Sequence, residues 1–216
     1  MILRPPAKPL DLSLYLVLGA ADCDDPLHVV EAAIAGGVTV VQWREKTQID
    51  IQLARGVMEL CHTRRVPFIL NDDVALAQQL GADGVHLGQD DMAPNLARDI
   101  LGPEAIIGLS VGGEHELARL DPSCVDYVGV GPVYATRTKG DAGEALGLDT
   151  ALEFVEQHIA LPSVLIGGIN TQRLTADTAV ERLRGSGCGI AVVSAITSAA
   201  SPALAAKNLR AVLSPH

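Results

Sequence analysis

The chain has 216 residues, a length that fits one domain with a sizeable core. Hydrophobic residues make up 48% of the chain and aromatic residues only 3%, so the core must be built mainly from Ala, Val, Leu and Ile. The net charge of −10 argues against a broad surface for nucleic acid or anionic membranes, and no apolar run approaches the roughly 20 residues that cross a bilayer.

The four cysteines are widely scattered and show no metal-ligand spacing, which indicates reduced thiols and a cytoplasmic protein. The first residues, MILRPPAKPL, lack the apolar core of a signal peptide, and we expect residues 1–11 to form an N-terminal extension. The expected partners are small molecules, with no nucleic acid and no membrane. Self-association into a homo-oligomer is left open by the sequence.

Short runs rich in Val, Ile and Leu alternate with helix-like segments along the chain. The predicted strands are residues 12–18, 38–43, 66–70, 84–87, 105–110, 125–131, 162–168 and 189–195. The predicted helices are residues 26–35, 49–63, 74–80, 95–101, 114–120, 150–158, 173–183 and 202–213. Apolar runs without alternation are typical of parallel strands covered on both faces. Eight such units predict an α/β fold, a single (β/α)8 TIM barrel; a doubly wound open sheet is the alternative, with usually fewer strands.

In such a barrel, function lies in the segments that follow the strands. Asp72 follows the third strand and Asp91 follows the fourth, so we expect the two carboxylates to face each other across a cleft. Two carboxylates without a cationic neighbour in sequence predict Mg2+, which normally binds together with a phosphate. In the alternative interpretation, Asp72 caps the next helix and Asp91 is a solvated loop residue.

The motif QWREK follows the second strand. Arg44 and Lys46 flank Glu45 there, and a planar guanidinium beside a compact ammonium suits a diphosphate. As an isolated charged run, the same residues would be a solvated loop.

A second anion site is predicted where the seventh and eighth strands end, the usual phosphate corner of this barrel. Gly168 would let backbone N–H groups approach an anion, and Ser194 adds a hydroxyl. Thr136 and Thr138 lie two residues apart, so their hydroxyls converge in an extended loop, and Lys139 follows them. Taken alone, the Gly pair is also typical of a tight turn, and a bare TxT has little specificity.

His86 lies in the short fourth strand, where a core role and a substrate contact both stay open. No G-x-S-x-G, HExxH or Walker motif is present, so the sequence offers no support for a hydrolase or an NTPase.

Taken in order, the segments QWREK, LNDD, GADGVHLGQDD, IGLSV, DYVGVGPVYATRTK, IGGI and GIAVVSAI resemble those of the thiamine phosphate synthase (thiamine-phosphate pyrophosphorylase) family. The resemblance spans nearly the whole chain, and HLGQDD together with TRTK is quite specific. It implies a transferase that couples hydroxymethylpyrimidine diphosphate to a thiazole phosphate with Mg2+. The implied products are thiamine phosphate and pyrophosphate.

The resemblance also implies the residues of the site. The matches to the pyrimidine diphosphate contacts are Gln42, Trp43, Arg44, Glu45, Lys46, Asn71, Ser110 and Lys139. The matches to the thiazole phosphate contacts are Thr136, Thr138, Gly168, Val193 and Ser194, and the metal ligands are Asp72 and Asp91. As pyrophosphate leaves, it gains negative charge that Mg2+ and nearby cations would stabilise. The expected catalytic residues are Arg44, Lys46, Lys139 and Ser110.

The sequence departs from the family's usual pattern in three places: it has Leu18-Gly19 where the family has Thr-Asp, Asp73 where the family has Arg, and Gly112 where the family has His. Two alternatives therefore accompany the transferase. One is a thiazole tautomerase-like isomerase, for which the missing histidine is a handicap. The other is a non-catalytic paralogue that binds thiamine intermediates.

Overall fold

The computed structural model describes residues 10–45, 49–136 and 144–214. Eight parallel strands close into a barrel in chain order, each paired with the next and the last with the first. They are β1 (Leu14–Leu18), β2 (Val40–Trp43), β3 (Phe68–Asn71), β4 (Gly84–Leu87), β5 (Ile106–Val111), β6 (Tyr127–Val130), β7 (Ser163–Leu165) and β8 (Gly189–Val192). The predicted (β/α)8 barrel is confirmed, and the alternative of an open sheet is wrong.

Helices follow the strands and cover the outside of the barrel. In the described part of the chain they are α1 (Pro26–Ala35), α2 (Ile51–Thr63), α3 (Val74–Leu80), α4 (Pro94–Leu101), α5 (Glu114–Leu117), α6 (Leu148–His158), α7 (Thr171–Ala176), α8 (Val180–Ser186), α9 (Ser194–Thr197) and α10 (Pro202–Leu213). Asp25, Asp50, Asp73 and Ser201 cap α1, α2, α3 and α10, because their side chains accept the free N–H groups of the first turn.

The single helix predicted over residues 173–183 is wrong, because the chain breaks between α7 and α8. Asp177 has an extended backbone, and its carboxylate accepts from the Ala179 N–H at 2.9 Å and from the Tyr134 hydroxyl at 2.8 Å. These contacts hold Asp177 outside a helical conformation.

The predicted ends of the last two strands are also wrong. β7 stops before Gly167 and Gly168, whose φ values of +96° and +65° are incompatible with a strand. β8 stops at Val192, because Ser194 already begins the short helix α9. Both corrections shorten a strand at the end where the functional residues are expected.

Alternate residues of each strand face the barrel interior or the helices. The interior cluster, one layer inside the closed sheet, consists of Leu12, Tyr15, Val40, Ile69, Ile106, Tyr127, Val164 and Ala191. The outward positions of the same strands, such as Leu16 and Leu70, pack against the helices in the larger core. The barrel is thus a filled core with an open upper end.

Two tyrosine rings fill most of the interior. Tyr15 and Tyr127 are both fully buried, with ring centroids 5.9 Å apart. Gly108, the register partner of Tyr127, leaves the space for its ring, since a Cβ at that position would overlap the phenol. The packing carries two hydroxyl groups into the middle of an otherwise apolar layer.

Within the described part of the chain, none of the helices has the length and hydropathy of a membrane span.

Candidate active site

A cavity of about 550 Å³ opens at the end of the barrel where the strands terminate. Its walls include the last inward-facing side chains of neighbouring strands, namely Gln42 of β2, Asn71 of β3, His86 of β4 and Ser110 of β5. Asn71 and His86 are register partners, so they lie at one level. Polar residues from separate parts of the sequence therefore share one concave site at the functional face of the barrel.

One side of the cavity carries carboxylates. Asp72 has a left-handed backbone with φ +62°, and its N–H donates to the carbonyl of His86 at 2.9 Å. Asp73 is the residue that caps α3, through a 2.9 Å hydrogen bond from the Leu76 N–H. The alternative in which Asp72 caps this helix is therefore wrong, and Asp72 lines the cavity instead.

Asp91 lines the same cavity from the loop after β4. Its Oδ2 accepts from the Gly88 N–H at 2.6 Å, which closes a tight turn and fixes the carboxylate. Oδ1 has no hydrogen-bond donor among the described residues. One oxygen of Asp91 thus holds the loop while the other stays available to a ligand.

Arg44 adds positive charge on the β2 side. Its backbone N–H donates to Leu18 at 2.8 Å, and its side chain lines the cavity. Within residues 10–45, 49–136 and 144–214, no carboxylate pairs with its guanidinium. Arg44 is the sole cation among the described lining residues, beside Asp72, Asp90, Asp91 and Glu116. A guanidinium without a partner at a cavity wall is suited to bind an anion.

The second corner combines a glycine turn with hydroxyl groups. Gly168, Val193, Ser194 and Thr136 all line the cavity. A Cβ at Gly168 would lie 2.5 Å from Arg173 Nη1 and 2.8 Å from the carbonyl oxygen of Ala135, so the close approach excludes other residues. The corner therefore presents backbone and hydroxyl donors, as expected for a phosphate group.

A row of hydrogen-bonded side chains crosses the floor of the cavity. Gln42 Nε2 donates to the Tyr15 hydroxyl at 3.0 Å, and that hydroxyl lies 2.8 Å from the hydroxyl of Tyr127. The Tyr127 hydroxyl lies 2.9 Å from His86 Nδ1, and His86 Nε2 lies 2.9 Å from Ser110 Oγ. Burial raises the pKa of both phenols, so both tyrosines are neutral at physiological pH.

Sequence reasoning missed the two tyrosines of this row. Tyr15 and Tyr127 lie in continuous apolar runs, 112 residues apart, and such runs do not show which side chains face inward. The signal that could have found them is the alternation of side chains along a strand, which makes His86 and Gly84 face inward on β4. Gly108 of β5 is the register partner of both His86 and Tyr127, so Tyr127 of β6 lies at the same level as His86.

The predicted site residues divide into three groups. Those that line the cavity are Gln42, Arg44, Asn71, Asp72, Asp91, Ser110, Thr136, Gly168, Val193 and Ser194. The second group, Lys46, Thr138 and Lys139, lies outside the described residues. Residues 1–9 of the expected extension also lie outside them. The third group, Trp43 and Glu45, is described but lies away from the cavity lining.

Trp43 faces the helices, not the barrel interior. It is 1% exposed and belongs to the outer core, and its Nε1 donates to Glu45 Oε2 at 3.0 Å. The same carboxylate oxygen accepts from the Asp50 N–H at 2.8 Å. The pair anchors the segment that carries Arg44, and a direct substrate contact of either residue stays a prediction.

Two of the three departures from the family pattern have local explanations: Asp73 caps α3, and Gly19 lies close to the backbone of Arg44. A Cβ at Gly19 would overlap the carbonyl oxygen of Arg44, so the glycine allows the chain to pass close to that residue. Gly112 lines the cavity, and its N–H donates to Glu116 Oε2 at 2.6 Å. Among the described lining residues, His86 is then the single histidine.

A second cavity, of about 590 Å³, opens at the opposite end of the barrel. Two of its polar lining residues are bonded to each other: His62 Nε2 lies 2.9 Å from Asp83 Oδ2, which also accepts from the Phe68 N–H at 3.0 Å. These contacts tie α2 to the starts of β3 and β4. Residues at this face of a TIM barrel contribute to stability, so we assign the chemistry to the other end.

Comparison with known proteins shows which family the chain resembles. Residues 14–196 match the family model described as thiamine monophosphate synthase. A thiamine-phosphate synthase of Azorhizobium caulinodans is 47% identical over 210 residues, covering 95% of this chain and 96% of that protein. A thiamine-phosphate synthase of Xanthobacter autotrophicus is 45% identical, with 95% and 97% covered.

A solved structure extends the similarity from sequence to fold. The thiamine phosphate pyrophosphorylase of Pyrococcus furiosus has a TM-score of 0.80 against this chain at 30% identity, covering 94% of this chain and 96% of that one. The resemblance carried by the motifs is thus confirmed over nearly the whole barrel: the chain belongs to the thiamine monophosphate synthase family.

Proposed function

We propose that the chain is a thiamine phosphate synthase that joins hydroxymethylpyrimidine diphosphate to a thiazole phosphate with Mg2+, releasing pyrophosphate. The observation that carries the proposal is that one cavity has two sets of polar groups, each of which suits an anion. Arg44, Asp72 and Asp91 lie on one side, and Thr136 and Gly168 lie on the other. A diphosphate substrate and a monophosphate substrate need two such sites facing one reaction space.

The residues present fit a Mg2+ ion. Mg2+ prefers carboxylate oxygens, keeps several waters and binds through one or two carboxylates plus substrate phosphates. In the described ranges, no three His, Cys, Asp or Glu side chains are grouped closely enough to hold a metal by themselves. Asp72 and Asp91 would therefore hold the ion together with the diphosphate. When bound, Mg2+ neutralises charge on the leaving pyrophosphate.

The chain's own residues supply orientation and charge. Arg44 would bind the diphosphate through its guanidinium, which pairs with no carboxylate among the described residues, and Gln42 and Ser110 would contact the pyrimidine diphosphate. Backbone N–H groups beside Gly168 and the hydroxyls of Thr136 and Ser194 would hold the thiazole phosphate. The thiazole nitrogen then attacks the carbon from which pyrophosphate departs, so alignment of two bound substrates provides much of the rate. No protein nucleophile is required.

The net charge and the state of the cysteines bear on the cellular setting of the protein. The net charge is −10, and the cysteines in the described residues are free. Both agree with a cytoplasmic enzyme that acts on small molecules, without a nucleic-acid or membrane partner. Self-association stays a prediction.

The test is formation of thiamine phosphate from the two substrates, with Mg2+ and with EDTA. Turnover should require Mg2+. Asp91→Asn keeps an acceptor for the Gly88 N–H while it removes the charge, so loss of turnover in this variant would reflect the metal, not the loop. We expect a decrease of at least roughly 100-fold, the scale seen when a transition-state charge loses its partner.

The matched control is Asp73→Asn, one residue from Asp72. It removes the same charge, and asparagine retains the cap of α3, so Mg2+-dependent turnover should persist. Binding of the pyrimidine diphosphate without turnover would favour the non-catalytic paralogue. Conversion of one thiazole phosphate isomer into another, unaffected by EDTA, would favour the isomerase.

A further inference from the structure

The row of side chains beneath the cavity has a defined direction, which follows from counting its hydrogens. Gln42 Nε2 carries only donors, so the Tyr15 oxygen must accept from it. Tyr15 is 1% exposed, and within the described part of the chain the only acceptor near its own proton is the Tyr127 oxygen, at 2.8 Å. Tyr15 therefore donates to Tyr127.

The same count applies to the next link. The Tyr127 oxygen is 0% exposed and accepts from Tyr15, so its own proton must go to His86 Nδ1, 2.9 Å away. In the reverse arrangement Tyr15 would accept from both Gln42 and Tyr127, and its buried hydroxyl proton would have no acceptor among the described residues. A buried donor without an acceptor costs about 1–3 kcal/mol, which disfavours the reverse order.

An imidazole that accepts at Nδ1 carries its proton on Nε2. That N–H is 2.9 Å from Ser110 Oγ, so Ser110 accepts from His86. The Ser110 backbone is fixed as well, because Gln89 Nε2 donates to its carbonyl oxygen at 2.7 Å. The Ser110 hydroxyl proton has no acceptor among the described residues, and its side chain lines the cavity.

We propose that Tyr15, Tyr127 and His86 form a hydrogen-bond relay that holds His86 as the neutral Nε2–H tautomer and thereby makes the Ser110 hydroxyl a donor directed into the cavity. His86 is thus a positioning residue that acts through Ser110. The ligand for this donor is a hydrogen-bond acceptor of the substrate held beside Ser110. This identification rests on the proposed function, in which the substrate beside Ser110 is the pyrimidine diphosphate.

The surroundings of His86 keep its ring in this role. Its side chain is 8% exposed and its ring centroid lies 5.5 Å from that of Tyr127. A Cβ at Gly129 would come within 3.2 Å of the imidazole Cε1, so the glycine leaves the room that the ring occupies. Packing and hydrogen bonds therefore select the same ring orientation.

The first test is independent of catalysis. Ring 15N NMR of the full chain, with His86 assigned by comparison with His86→Gln, should show a protonated Nε2 and an unprotonated Nδ1. Tyr127→Phe should produce a mixture of tautomers, because Nδ1 loses its donor while the ring still fills the space beside Gly108. Tyr15→Phe should preserve the tautomer, because Tyr127 can still donate to His86. An Nδ1–H tautomer or an imidazolium in the unaltered protein would overturn the relay.

The second test separates a positioning role from a structural one. The amide nitrogen of Gln reaches the place of His Nε2, whereas that of Asn reaches the place of Nδ1. His86→Gln should keep the donor to Ser110 and most of kcat, and His86→Asn should lose roughly 10- to 100-fold, the value of one hydrogen bond to a charged group. The loss should fall on kcat more than on KM, because charge develops on the diphosphate as it leaves.

A double-mutant cycle completes the test. If His86 acts through Ser110, His86→Asn added to Ser110→Ala should cause no further loss. The proposal would be overturned if the loss of kcat in the double variant were the product of the two single losses. Equal losses for His86→Gln and His86→Asn would overturn it as well. His62→Gln, at the opposite end of the barrel, controls for the substitution itself. If turnover is absent altogether, the proposed function fails while the NMR result still decides the relay.

Discussion

Asp72 places its carboxylate on the cavity from a backbone conformation that few residues adopt. Its φ of +62° lies in the left-handed region, whereas the neighbouring cap residue Asp73 has an ordinary φ of −84°. A residue with a Cβ pays about 1–2 kcal/mol in that region, although Asp and Asn tolerate it better than most. Arg65, at the opposite end of the barrel, is the other described non-glycine residue with a positive φ, so Asp72 is the strained residue at the candidate site.

Substitutions at Asp72 should therefore separate stability from activity. Asp72→Gly and Asp72→Ala remove the same carboxylate, but only the glycine variant relieves the backbone strain. Asp72→Ala should be less stable than Asp72→Gly by roughly 1 kcal/mol, since alanine retains the Cβ. Both should lose Mg2+-dependent turnover. Urea unfolding measures the first effect, and a glycine variant less stable than the alanine variant would contradict the role of strain.

At the scale of elements, the loops after β6 and β7 are joined by Arg173 of α7. Its Nη1 donates to the carbonyl oxygens of Ala135 and Gly168, at 3.2 and 2.5 Å, and its guanidinium lies 5.4 Å from the ring centroid of Tyr134. Arg173 thereby fixes the backbone on both sides of the corner where Thr136 and Gly168 line the cavity.

Arg173→Lys should weaken this corner specifically. Lysine keeps the charge but loses the planar fork, so we expect the KM for the thiazole phosphate to rise roughly tenfold, with the KM for the pyrimidine diphosphate little changed. Steady-state kinetics with each substrate varied in turn measures the effect. The control is Arg182→Lys on α8, whose guanidinium pairs with Asp149 and Glu156 on the outer surface. Equal changes for both substrates would argue against a local clamp.

The elements also show how far the sequence predicts the fold. Continuous apolar runs were enough to predict every strand and the barrel, because parallel strands are covered on both faces. They did not predict the break at Asp177, which depends on a hydrogen bond from Tyr134, 43 residues away. They did not predict the early ends of β7 and β8, which follow from backbone conformations at Gly167 and Ser194.

For the candidate site, the motifs predicted residues better than their partners. Ten predicted residues share the cavity, because positions after parallel strands meet at one end. The placement of Trp43 was not predictable, since an apolar run does not reveal which side chains face inward. The tyrosines under the site were missed for the same reason. Their roles, like the metal at Asp72 and Asp91, stay predictions.

At the scale of the whole molecule, the barrel buries an ionisable group that plays no part in the site. Cys61 of α2 is fully buried in the outer core. Burial, and to a lesser degree the negative charge of Asp83, raises the pKa of the Cys61 thiol from 9.0 to about 12. The thiol therefore stays protonated and unreactive while the barrel is folded.

This thiol should make the stability of the barrel depend on pH under alkaline conditions. An acid whose pKa is raised by folding contributes its full stability below the unfolded pKa and loses it as pH rises towards the folded value. Between pH 9.0 and about 12, the free energy of unfolding should fall by up to about 1.4 kcal/mol per pH unit on account of Cys61.

Urea unfolding at neutral and alkaline pH, for the unaltered chain and for Cys61→Ala, measures this contribution of Cys61. Cys61→Ala should flatten the dependence, whereas Val57→Ala, a cavity on the same buried face without a thiol, should lower stability equally at both pH values. An identical pH dependence in the two variants would place the alkaline sensitivity elsewhere, with the buried phenols of Tyr15 and Tyr127 as the next groups to replace.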